Sequence, residues 1–74
     1  MERYHINIFY SNDDKCFIAD VPDLQHCSAC GQNPEAALRE VKRAMKAWLA
    51  AARALRKRIP APKYRPALYA AGRG

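Results

Sequence analysis

The sequence predicts one α+β domain: a three-stranded antiparallel sheet packed on one long helix, with an extended C-terminal segment. Three observations carry this. Residues 3–10 alternate in apolar character with period two, the mark of a half-buried strand. A second alternating run follows a polar turn, which makes a hairpin. Residues 33–58 then change to steps of three and four, the spacing of an amphipathic helix.

In the first strand, Arg3 to Tyr10, Tyr4, Ile6, Ile8 and Tyr10 share one face, opposite His5, Asn7 and Phe9. Ser11-Asn12-Asp13-Asp14 supplies turn residues. The second strand runs from Lys15 to Val21, with Phe17, Ala19 and Val21 on one face and Cys16, Ile18 and Asp20 on the other. Pro22-Asp23 ends it. His26 to Cys30 is long enough for a short third strand, and Gly31 is suited to the turn into the helix.

The helix, Asn33 to Arg58, has a clear start. Asn33 can cap the open N–H groups, Pro34 suits the first helical position, and Glu35 complements the positive end of the dipole. Leu38, Val41, Met45, Trp48, Leu49, Ala52 and Leu55 form its apolar stripe. Arg56, Lys57 and Arg58 place cations at its C-terminal end. Beyond it, Pro60, Pro62 and Pro66 forbid helix and suit an extended edge segment. The domain is therefore read as residues 1–62, followed by a basic, proline-containing flexible tail over 63–74.

The chain has 74 residues. A domain of that size buries only about 60% of its unfolded surface, so self-association is expected. A 26-residue helix would be about 39 Å long at 1.5 Å per residue, longer than strands of roughly 17–20 Å. Trp48, Leu49 and Leu55 would overhang the sheet, and they are the candidate oligomer interface. No run approaches the roughly 20 apolar residues of a membrane span. The N-terminus, with Glu2 and His5, does not read as a signal peptide. A cytoplasmic protein without membrane contact is expected.

Charge is unevenly placed. Residues 1–38 hold two Lys or Arg against six Asp or Glu, a net of −4; residues 39–74 hold eleven against one, a net of +10. The basic half points to nucleic acid or an acidic surface, or to nothing more than a solvated helix face. Arg39, Lys42, Arg43 and Lys46 on the helix, with Lys63 and Arg65 in the tail, are the candidate nucleic-acid contacts.

Chemistry is sparse. Cys27-Ser28-Ala29-Cys30 is a Cys-x-x-Cys beside His26. Structural zinc takes four ligands, and no second matching pair exists; only Cys16 and His5 are spare. A redox pair of the thioredoxin kind belongs at a helix N-terminus, whereas these cysteines lie on a strand, where they point to opposite faces. They are read as small packed residues, and the odd count of three cysteines favours reduced thiols. His5 and His26 adjoin no nucleophile. No catalytic residue, cofactor or metal ligand is expected.

The run Phe17-Ile18-Ala19-Asp20-Val21-Pro22-Asp23-Leu24 is followed by Cys27, Gly31, Pro34-Glu35-Ala36-Ala37-Leu38, Trp48-Leu49 and Ile59-Pro60-Ala61-Pro62. In that order and spacing it resembles the HicB family of antitoxins over residues 3–62. Gln25-His26-Cys27 stands where the family has Pro-Gly-Cys. The resemblance implies a partial ribonuclease H-like fold, β-β-β-α-β, with residues near Ile59–Pro62 as the last short strand. It implies a non-enzymatic role, binding and neutralising a small HicA-type toxin that cleaves messenger RNA, and assembly as dimers or tetramers. Many family members carry a C-terminal DNA-binding domain, and none is expected within these 74 residues. Asp13, Asp14, Asp20 and Asp23 would supply the acidic surface for a basic toxin. Nuclease activity on such a fold needs several carboxylates around two metal ions, and Arg3 to Tyr10 has none.

Overall fold

The computed structural model describes residues 3–66. Glu2 and the tail residues 67–74 lie outside the described residues. The order is β1 (Asn7–Ser11), β2 (Cys16–Asp20), β3 (Ser28–Gly31) and α1 (Pro34–Ala54). The three strands form one antiparallel sheet in the order β1-β2-β3, with α1 on one face. The α+β class expected from the alternation is observed.

β1 starts four residues later than expected, because Tyr4 leaves the ladder. Its ring enters the core and its hydroxyl donates to the carbonyl of Pro60. The turn to β2 is closed by Lys15 N–H donating to Ser11 O at 2.7 Å. Ser11 Oγ donates to Asp14 Oδ2 at 2.8 Å and accepts from Asp14 N–H at 3.2 Å. Lys15 pays for this closure with a φ of 55°, in the left-handed region.

α1 starts as its sequence indicates: Asn33 Oδ1 accepts from Ala36 N–H at 2.7 Å, and Pro34 opens the helix. Its end differs from the expected Arg58. Arg56 adopts a φ of 56°, Arg56 N–H donates to Arg53 O and Lys57 N–H donates to Ala52 O. That pair of bonds is a Schellman cap. It closes the helix at Ala54 without the glycine that usually announces one.

The core lies between sheet and helix. Ala37, Val41, Met45, Leu49 and Ala52 are the buried residues of α1, and Val41 meets fully buried Val21 and Leu24 in one cluster. Gly31 lets the helix come close, since a Cβ there would lie 2.5 Å from Ala37 N and 2.8 Å from Ala36 C. Its role is close approach and not the turn expected of it.

Residues 57–66 have no regular structure. Ile59–Pro62 forms no ladder with the sheet among the described residues; Pro60 and Pro62 have no N–H to give. The segment is held by other means. Pro60 O accepts from Tyr4, and the Asp23 carboxylate accepts from Lys63 N–H and Tyr64 N–H, both at 3.2 Å. Tyr64 also sits against His5, ring centroids 4.9 Å apart. The attachment to the domain thus runs to Tyr64, past the boundary expected at residue 62.

Candidate functional site

The strand register sorts the side chains of the sheet. Ala19 is fully buried under α1 and pairs with Ile8 and Ala29, so these three face the helix. One residue on, Ile18 faces away from it. Phe9 pairs with Ile18, and Ile18 pairs with Cys30. An apolar row therefore crosses the open face of all three strands. Phe9 is 51% exposed, Ile18 is half-buried and Cys30 is exposed. On one side of this row lie Asn7, Asp20 and Ser28, with Asp20 the ladder partner of both others. On the other lie Ser11 and Cys16, with Asp14 in the adjoining turn.

The four acidic candidates divide. Asp13 and Asp14 project from the β1–β2 turn and are exposed. Asp20 stands on the open face, at the far side of the Phe9–Ile18 row. Asp23 does not belong with them, because its carboxylate anchors the backbone of the C-terminal segment. The open face thus has an apolar centre with Asp14 at one end and Asp20 at the other.

The expected oligomer interface is not brought together. Leu49 is 5% exposed and belongs to the core. Trp48 is half-buried, and its indole N–H donates to Gln25 O at 2.9 Å. Leu55 alone is open, 67% exposed. The expected overhang fails for two reasons. The helix has 21 residues, about 32 Å, and the loop after β2 folds over its second half. That loop is built from Val21 N–H to Cys27 O, Leu24 N–H to Val21 O and Cys27 N–H to Leu24 O, with His26 at a φ of 61°. Between loop, helix and C-terminal segment runs an open groove floored by Trp48 and Ala52 and edged by Lys57 and Arg58.

The basic helix residues Arg39, Lys42, Arg43 and Lys46 are all exposed on the face of α1 away from the sheet. Arg43 makes a 3.7 Å pair with Glu40, both well exposed, and such a pair contributes little. Lys63 and Arg65 are exposed as well, but they belong to the C-terminal segment at the Asp23 anchor, whereas the other four lie on α1.

The cysteines pair differently from their sequence spacing. Cys27 is buried, 5% exposed. Its thiol is pushed up from its usual pKa by burial and, secondarily, by the charge of Asp20. Cys30 is on the opposite, open face, which corrects its reading as a packed residue. There it meets Cys16 across the β2–β3 ladder, a neighbour that only the register reveals. Partial burial raises the Cys16 thiol first, followed by its hydrogen bond with Cys30 and the negative charge of Asp14. Among the described residues no three of His, Cys, Asp and Glu gather as a metal site. No described helix is long and apolar enough to cross a membrane.

Comparison with protein-family models, with curated proteins and with solved structures finds no match.

Proposed function

We propose that the chain is a non-enzymatic, cytoplasmic protein-binding module of the HicB-like antitoxin kind, whose open sheet face masks a small basic toxin of the HicA type. The observation that carries this is the Phe9–Ile18 row flanked by Asp14 and Asp20. An apolar centre with a charged rim is the anatomy of a protein interface, and the sign of the rim suits a basic partner. The order of motifs from Phe17 to Pro62 and the β-β-β-α order support the same reading. On it the fold is a partial ribonuclease H-like one, with residues near Ile59–Pro62 standing for the closing strand. Self-association belongs to this reading too, without Leu49 in the contact.

Tagged protein drawn from its native host, with and without ribonuclease and deoxyribonuclease, tests it. A discrete small basic protein should be retained through nuclease treatment and lost with Ile18→Lys or Asp20→Lys. Retention by both variants would overturn the assignment of the face.

A second reading is favoured by the solvent-facing row Arg39, Lys42, Arg43 and Lys46: a small nucleic-acid-binding protein. Recovery of nucleic acid alone, lost on nuclease treatment and with Lys42→Glu, would favour it. Retention near physiological salt would separate it from bare electrostatics.

A further inference from the structure

Cys16 and Cys30 are apart in sequence but share one surface. Cys30 pairs with Ile18 across the ladder. Cys16 lies two residues before Ile18 on the same face, so the two cysteines are diagonal neighbours. Both line one shallow depression with Asp14, Ser28 and Ala29, and neither is in a disulfide. The third cysteine, Cys27, is buried on the helix side. An accessible pair of thiols and an inaccessible single one therefore coexist in the same domain.

We propose that Cys16 and Cys30 are a redox modification site, closing reversibly into an intramolecular disulfide at the expense of low-molecular-weight disulfides of the glutathione class. Diagonal residues of an antiparallel pair have Cα atoms about 7–8 Å apart, and a disulfide favours roughly 4.4–6.8 Å. The strands must therefore draw together slightly. The location permits it, since Cys16 is the first residue of β2 and Cys30 is one from the end of β3. An exposed and somewhat strained disulfide is also a readily reduced one.

The thiols divide the work by position. Cys30 is exposed, and its thiolate attacks one sulfur of the small disulfide, expelling one small thiolate and leaving a mixed disulfide on Cys30. Cys16 is half-buried, and partial burial, then its hydrogen bond with Cys30, push its thiol pKa up. On losing its proton it attacks the Cys30 sulfur, forming the Cys16–Cys30 bond and expelling the second small thiolate. Two protein thiols are oxidised, one small disulfide is reduced to two thiols, and the two protons pass to the departing thiolates. The inference is independent of the partner proposed above.

The test is incubation of the whole chain with excess oxidised glutathione, an acid quench, alkylation and intact-mass measurement, followed by peptide mapping. The expected product has lost two hydrogen atoms and retains one alkylatable thiol, at Cys27. Its Cys16 and Cys30 peptides are joined, and dithiothreitol restores the starting mass. Cys27→Ala should form the same bond, and Cys16→Ser should stop as a glutathione adduct on Cys30. A lasting adduct on the unaltered chain, a link involving Cys27, or a covalent dimer through Cys30 would each overturn the proposal.

Discussion

Gly31 lies directly beneath Ala37: a Cβ built on the glycine would stand 2.5 Å from the Ala37 backbone nitrogen. The first turn of α1 thus rests on the last residue of β3. Backbone cannot swing aside as a flexible side chain can. Gly31→Ala should therefore cost about 1–3 kcal/mol, the usual range for overpacking, measured by urea denaturation. A stability equal to the parent would mean that α1 does not approach so closely.

Arg56 holds the left-handed position of the helix cap. That conformation costs a non-glycine residue roughly 1–2 kcal/mol, part of which glycine returns as unfolded-chain entropy. Arg56→Gly should raise stability by about 0.5–1 kcal/mol, seen as a higher denaturation midpoint. A loss of stability would show that the Arg56 side chain contributes more than its backbone strain removes.

Trp48 ties the loop after β2 to the helix through its indole N–H and Gln25 O. Trp48→Phe retains most of the apolar contact and removes the donor. A loss of about 0.5–1.5 kcal/mol is expected, with faster amide exchange in residues 22–27. Unchanged exchange there would show that the hydrogen bond does not hold the loop.

Asp23 receives the Lys63 and Tyr64 amides. Asp23→Ala should release this segment, so trypsin should cut after Lys63 sooner while the domain stays folded. Equal cleavage rates would mean that Tyr4 and His5 suffice to hold it.

Cys27 and Cys16 have thiol pKa values raised on folding. A raised folded-state pKa means that the folded chain keeps a proton the unfolded chain gives up. The associated stability is complete below the unfolded value of about 8.5 and is lost as pH rises through the folded values. Melting temperature should therefore fall as pH rises above about 8.5, and Cys27→Ala should flatten that fall. The same slope in the variant would place the loss elsewhere.

The start of the helix was legible because Asn33 and Pro34 act through their immediate neighbours, and local chemistry can be read along a chain. Its end was not: Arg56 accepts a strained conformation that nothing in its residue type announces. The sheet faces were legible from alternation, Phe9 and Ile18 included. What alternation cannot supply is register, so the nearness of Cys16 to Cys30 stayed hidden behind the nearer spacing of Cys27 and Cys30. The acidic candidates separated for a related reason. Asp23 looks like Asp20 in sequence, and only the returning chain distinguishes an anchor from a surface group.

The contacts of Tyr4 with Pro60 and of His5 with Tyr64 bring early and late segments of the chain side by side. Such proximity makes the domain a candidate for circular permutation. A covalent bridge between these neighbouring segments, with new ends opened at the exposed Asn12–Asp14 turn, would preserve every ladder pair of the sheet. It would convert the β1–β2 hairpin into two strands joined only through the rest of the molecule. The permuted chain would then report how much of the assembly depends on that hairpin forming first.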